Sequence, residues 1–197
     1  MSNLTVETLR NREARHAAID DLARLRITVF REWPYLYDGS LDYERRYLSA
    51  FLEGKDAALV IARDGNAIIG AATASPMSGQ DEVLQAPFRD HGIDITSLFY
   101  FGESVLLADY RGRGLGHAFF DAREAAARDA GATATCFCGV IRPIDHPRRP
   151  ARARDLGPFW RKRGYKPLEG VIAHYEWKDI DQPEETSHPM QFWSRTL

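Results

Sequence analysis

Three glycines and two arginines fall within residues 111–116, in the stretch SVLLADYRGRGLGHAFF (residues 104–120), between two apolar runs. Glycine costs conformational entropy wherever it is ordered, so Gly112, Gly114 and Gly116 need a reason beyond an ordinary turn. A turn that leads from a strand into a helix supplies one. It leaves several backbone N–H groups unpaired and pointing the same way, at the positive end of the helix dipole, and that geometry binds phosphates. Arg111 and Arg113 add charge, with Arg111 the better placed to reach a bound anion. The mononucleotide loop is excluded, because it ends in Gly-Lys-Ser/Thr and Leu115-Gly116-His117 stands here instead. The dinucleotide fingerprint is disfavoured too. Its glycines are spaced by two and then three residues, whereas these run every second residue and leave His117 where the third should fall.

The elements that must position this turn can be read outward from it. TSLFYFGESVLLA (residues 96–108) is predicted as a long buried strand, rich in aromatic and branched residues. After the turn, Phe119, Ala122 and Ala126 form the buried stripe of a helix, with Asp121, Arg123, Glu124 and Arg128 opposite, until Gly131 stops it. ATATCFCGVI (residues 132–141) is the next strand, and RPIDHPRRPARARDLG is a loop too polar to be core. Pro158 starts a short helix, PFWRKR, closed by Gly164. Upstream, LTVETLR predicts a first strand, and Ile19, Leu22, Leu25, Val29 and Trp33 recur at helical spacing as far as Pro34. Asp42 reads as the N-cap of a second helix with Tyr43, Tyr47 and Phe51 on one face. AALVIAR and AIIGAATA flank Asp64-Gly65-Asn66, a hairpin signal, and a short helix is expected over residues 82–88. GVIAHYEWKD and MQFWSRTL supply the last strands; the second, with Phe192 and Trp193, either completes the sheet or pairs with a second copy as a homodimer.

Composition limits what such a molecule can be. At 197 residues and 44% hydrophobic content the chain is expected to form one domain, residues 1–197, around one core. Lys+Arg 26 against Asp+Glu 28 leaves a net charge of -2, which argues against a cationic binder of nucleic acid or of anionic membranes. The N-terminal twenty residues hold no apolar core of the kind a signal peptide needs, so the expected location is cytoplasmic. The two cysteines, Cys136 and Cys138, share a strand face and imply neither a disulfide framework nor a metal site.

Arg-x-x-Gly-x-Gly, read from Arg111, Gly114 and Gly116 after a long strand, resembles the GNAT superfamily of N-acetyltransferases. PFWRKRGY resembles that superfamily's later motif, an aromatic pair, a short helix and then glycine with an aromatic, and the two motifs stand in the right order. The resemblance spans nearly the whole chain. It implies an α/β (α+β) fold with a central mixed, mostly antiparallel sheet of six to seven strands, flanked by helices and splayed at a cofactor slot. It also implies acetyl-CoA as cofactor, with Leu106, Leu107 and Ala108 offering backbone groups to the pantetheine arm. Arg111, Gly112, Arg113, Gly114, Leu115, Gly116 and His117 would then cradle the pyrophosphate.

The implied reaction is transfer of an acetyl group to a primary amine of a small molecule, by direct attack in a ternary complex. An amine with a pKa of about 10.4 must lose a proton first, which costs several kcal/mol near neutral pH. Glu103 is the expected base. Strand alternation puts it with Phe101 and Val105 in an apolar setting; the competing reading has it at a strand edge or paired with an arginine. Many relatives place a tyrosine acid where Trp160 stands here, so Tyr165 or Tyr110 would substitute, unless no acid is needed. Tyr37 and Asp38, in the connection REWPYLYDGSLDYE, suit an ammonium group by cation–π contact and charge. Two other classes stay open: a non-catalytic acyl-CoA-binding protein of the same fold, and a nucleotide-binding or nucleic-acid-associated module that uses the arginine loop, which the balanced charge disfavours.

Overall fold

The computed structural model describes residues 3–197, so Met1 and Ser2 of the N-terminal stretch lie outside it. The chain runs β1 (Leu4–Leu9), α1 (Arg12–Ala17), α2 (Ile19–Phe30), α3 (Leu41–Glu53), β2 (Ala58–Asp64), β3 (Ala67–Pro76), α4 (Glu82–Asp90) and β4 (Leu98–Leu106). It continues with α5 (Leu115–Asp129), β5 (Ala134–Val140), α6 (Gly157–Lys162), β6 (Lys166–Trp177) and β7 (Thr186–Thr196). The seven strands form one sheet in the order β1-β2-β3-β4-β5-β7-β6. Every neighbouring pair is antiparallel except β4 and β5. A parallel pair needs a crossover, and α5 supplies it. Among the described residues no helix is long and apolar enough to cross a membrane.

Alternate residues of β2 show how the sheet is covered. Leu59 and Ile61 pack under α2 and α3 with Leu22, Leu48 and Leu52, while Val60 and Ala62 pack with Leu115 and Phe119 of α5 on the other face. A strand buried on both faces loses polar alternation, which is why AALVIAR is a nearly continuous apolar run. The Asp64-Gly65-Asn66 hairpin forms between β2 and β3, with Gly65 at φ +58. β7 lies between β5 and β6, so the C-terminal strand completes the sheet rather than ending it.

Several sequence expectations are corrected. The helical run from Ile19 is α2, and a short helix not expected from the spacing, α1, precedes it and meets it at Ala18, with Asn11 Oδ1 capping α1 through the Ala14 amide at 2.7 Å. Trp33 lies beyond α2, in the turn that follows it. Ser40, not Asp42, is the N-cap of α3, and the face of α3 turned inward carries Glu44, Leu48 and Leu52 while Tyr43 is exposed. On α5, Arg123 and Glu124 are buried instead of solvated, at 2% and 5% exposure. The loop after β5 is not wholly solvent-facing either, because the Arg142 side chain is 7% exposed and pairs with Asp179.

Candidate active site

β4 and β5 pair over only three positions, from Leu98↔Ala134 to Tyr100↔Cys136. Beyond them β4 runs on to Leu106 beside β3 while β5 runs on to Val140 beside β7. The strands part there, and a cleft of about 980 Å³ opens between them. Gly139 lets one wall come close: a Cβ there would stand 2.9 Å from the Trp160 ring, which packs edge-on against Phe137 and Trp193.

At one end of the cleft lies the glycine turn. Gly112 and Gly114 have φ of +80 and +86, the left-handed region that side chains avoid, and Gly114 is the N-cap of the fifteen-residue α5. Among the described residues, the amides of Gly112, Arg113, Gly114, Leu115 and Gly116 donate to no carbonyl or side chain. The first turn of α5 holds no acidic residue to offset the positive end of its dipole. A Cβ at Gly112 or Gly114 would meet nothing within 4 Å, so the space over these amides is open. The residues present therefore fit a diphosphate group. His117 lines the cleft beside them, its ring edge-on to Phe159.

The arginines do less there than expected. Arg111 Nε donates to the Leu106 carbonyl at 3.1 Å and Nη1 to Glu32 at 2.7 Å, so its charge is already partnered at the cleft wall. Arg113 turns away, donating to the Asp109 carbonyl and lying over the Tyr110 ring. Leu106 lines the cleft, whereas Leu107 turns into the core with its amide on the Ile69 carbonyl, and Ala108 begins a single 3-10 turn. Leu115 contributes its amide only, since its side chain is core.

Glu103 reaches the cleft by a route that alternation alone does not give. β3 and β4 pair at Ala72↔Ser104 and again at Ala74↔Phe101, so Gly102 and Glu103 together oppose Thr73. This bulge turns Phe101 toward α5 and Glu103 toward α2, against the expectation that the two share a face. Glycine is required at its first position, where a Cβ would stand 2.4 Å from Thr73 Oγ1. Arg123 lies beneath the bulge and donates to the Thr73 and Glu103 carbonyls at 3.5 and 3.4 Å, with Phe101 and Phe120 under its guanidinium. Burial pulls Arg123 down to about 10. The setting of Glu103 is thus ionic rather than apolar: it is 5% exposed, and its Oε2 accepts from Arg26 Nη1 at 2.6 Å.

Tyr165 is not in the cleft. It is fully buried on the α5 side of the sheet, sharing a hydrogen bond with Thr135 Oγ1 at 2.8 Å and donating to Glu124 Oε1 at 3.2 Å. Burial raises its phenol well above the usual range. That placement removes it as a proton donor to a reaction in the cleft. Tyr110 is held by Asp64, outside the cleft as well. Tyr35, Tyr37, Tyr43, Tyr47, Tyr100 and Tyr175 all line the cleft, and burial raises Tyr35, Tyr47, Tyr100 and Tyr175, so these four keep their protons at neutral pH.

Residues 33–38 form a strap over the cleft, entered from Glu32, which pairs with Arg111 of the glycine turn. Tyr37 lines the cleft, and burial followed by the charge of Glu44 raises its phenol. Asp38 also reaches the rim, but Lys178 at 2.7 Å and Arg31 at 3.2 Å hold its carboxylate and lower its pKa, so it offers no unpaired charge to an ammonium group. What fixes the strap is Arg142, which no local pattern marks. It forms two 2.8 Å bonds to Asp179 and donates to the Pro34 and Tyr35 carbonyls at 2.8 and 2.6 Å. Trp177 Nε1 adds bonds to Asp179 and to Tyr35 O.

The comparisons agree with this geometry. No curated protein matches the chain by sequence. In structure it is similar to a ribosomal-protein-alanine N-acetyltransferase from Brucella melitensis (TM-score 0.61, 9% identity, covering 98% of this chain and 99% of that one). It is likewise similar to a GCN5-related N-acetyltransferase from Kribbella flavida (0.60, 16%, 98% and 98%). A third similar structure is yncA from Salmonella typhimurium, solved with its cofactor acetyl-CoA (0.58, 10%, 98% and 94%). At these identities the likeness establishes the fold. The sequence model of the "Acetyltransferase (GNAT) family" matches residues 19–157, which run from α2 through the glycine turn to the start of α6. With the splayed strands and the bare amides in that same span, the chain belongs to the acetyltransferase (GNAT) family, whose members transfer acetyl groups from acetyl-CoA.

Proposed function

We propose that the chain is an N-acetyltransferase that moves an acetyl group from acetyl-CoA to a primary amine of a small molecule, by direct attack within a ternary complex. One observation carries this reading: a single cleft joins the unpaired amides of residues 112–116 to Glu103. When bound, acetyl-CoA supplies the acetyl group activated as a thioester. The amides of residues 112–116 would hold its diphosphate, and Leu106 with the parted edges of β4 and β5 would flank its pantetheine arm.

Glu103 takes the proton that an ammonium group must lose before its nitrogen can attack. Tyr47, Tyr100, Phe137 and Trp160 keep water away from the floor where this happens. Aromatic rings of the strap side, Tyr37 and Trp177 among them, hold an ammonium by cation–π contact. A thiol with a pKa of about 8.5 is a fair leaving group, so the absence of Tyr165 from the cleft does not block transfer.

The test is thiol release from acetyl-CoA against a panel of amines, amino acids, aminoglycosides and peptides, alongside calorimetry with acetyl-CoA. Heat on binding together with amine-dependent thiol release is the expected result. Heat without release from any amine would favour the second reading, a non-catalytic acyl-CoA-binding protein. Trp160 in the tyrosine's place and the burial of Tyr165 support that alternative. No heat at all overturns both.

A further inference from the structure

Glu103 is one member of a buried group of three charges. The Arg26 guanidinium that donates to it through Nη1 also donates through Nε to Glu44. The three side chains come from β4, α2 and α3, with exposures of 2% for Glu103, 11% for Arg26 and 0% for Glu44. Tyr47 and Phe30 present their rings to the guanidinium at 4.6 and 5.1 Å. Burial works against the charge on Arg26, but Glu103 and Glu44 more than offset it and raise its pKa.

Two carboxyl groups share the Arg26 guanidinium, and Arg123, also buried, lies on the other side of Glu103 with its guanidinium on the Glu103 carbonyl. Among the described residues Glu103 Oε1 is buried without a hydrogen-bond partner, and Glu44 Oε1 is buried with only the Tyr37 phenol facing its carboxylate, although an ion pair that served only to brace helices against the sheet would need one carboxylate and no orphan oxygen. The group is also aimed at the chemistry, since Arg26 and Glu103 both line the cleft. The other ionisable groups around Glu103 are Tyr47 from α3, Tyr35 from the strap and Arg123 from α5.

We propose that Arg26 is a positioning residue for Glu103, and that Glu44, by competing for the same guanidinium, sets how readily Glu103 takes a proton. The inference rests on the reading of Glu103 as base. An opposite charge within about 4–6 Å favours the ionised carboxylate and a like charge disfavours it. The two partners therefore act on Glu103 in opposite senses.

The experiment is a pH titration of the Glu103 carboxyl signal by NMR on full-length protein with 13C-labelled glutamate, assigned by its loss in Glu103→Gln. In Arg26→Met the midpoint should move up by about one pH unit or more, and in Glu44→Gln it should move down. Arg26→Lys should return it toward the wild-type value. Midpoints that stay put in both variants, or move in the same direction, overturn the proposal. Glu44→Gln is nearly isosteric and decides the matter alone if Arg26→Met does not fold. The acid limb of kcat/KM, measured by thiol release with an amine found active in the panel, should follow the NMR midpoints. If the midpoints separate as expected while the limb stays fixed, the charge coupling stands and the base role of Glu103 falls.

Discussion

The two ends of the cleft are built from different materials. The glycine turn is made of main chain: five consecutive amides, two positive φ angles and one helix terminus, all within residues 112–116. The acceptor end is made of side chains that meet across long stretches of sequence, Arg26 with Glu103 over 77 residues and Arg142 with the Pro34 carbonyl over 108. A backbone site is specified by what each residue lacks, a side chain or a hydrogen-bond partner. A side-chain site is specified by what distant residues bring. The first tolerates change at its neighbours and fails at its glycines; the second fails at any partner.

The largest effect expected from that contrast is at Glu103. Glu103→Gln keeps the shape and the donation from Arg26 but removes the proton acceptor, and should lower kcat by about 10²–10⁴. Acetyl-CoA affinity by calorimetry should stay the same, because the amides lie at the other end. Equal turnover would discard the base assignment. Next comes the strap. Arg142→Met leaves Asp179 buried without its cation and the Pro34 carbonyl without a donor, while Trp177 keeps the Tyr35 carbonyl bonded, a loss of about 3–5 kcal/mol in denaturant unfolding. In the fraction that remains folded, KM for the amine should rise more than KM for acetyl-CoA. A matched rise in both would mean that the strap and the turn are not independent regions.

Gly114→Val tests the backbone end. A branched residue at φ +86 costs about 1–3 kcal/mol, and relaxation of the turn spreads the amide array. Coenzyme affinity should fall by about tenfold to a hundredfold. Arg111→Ala should do less, since its guanidinium is already bound to Glu32 and to the Leu106 carbonyl. If Arg111→Ala weakens binding more than Gly114→Val, the cradle is a side-chain site after all.

The same contrast explains what could be read from sequence. The turn, the hairpin at Asp64-Gly65-Asn66 and the helix over Glu82–Asp90 all leave local marks, because glycine spacing and apolar periodicity are local properties, whereas the splay of β4 and β5 follows only from the family resemblance. The face of Glu103 was not legible by counting twos. A bulge at Gly102 resets the count, and the only trace it leaves is a lone glycine inside a strand. Arg123 and Glu124 look like the solvated side of α5 for a related reason: charge predicts exposure unless partners arrive from elsewhere. Here they come from bulge carbonyls, Arg163, Arg195 and Tyr165. Arg142 sits in a basic loop whose other arginines do face solvent, so nothing nearby distinguishes it.

The smallest expected effect is at Tyr165, and it separates the cleft from the opposite side of the sheet. Its hydroxyl bridges Thr135 and Glu124, while Glu124 retains Arg163 and Arg195 as partners. Tyr165→Phe therefore removes one donor from a carboxylate that keeps two cations, and leaves one buried threonine hydroxyl short of a partner. The cost should be about 1 kcal/mol of unfolding free energy. Phenylalanine preserves the ring contacts with Phe120 and Phe137, so the core loses no volume beyond an oxygen. Because the phenol lies behind β5 rather than in the cleft, kcat and its pH profile should not change. A drop in kcat without loss of stability would mean that a proton reaches the cleft through the sheet, and the division between a backbone end and a side-chain end would have to admit a third participant.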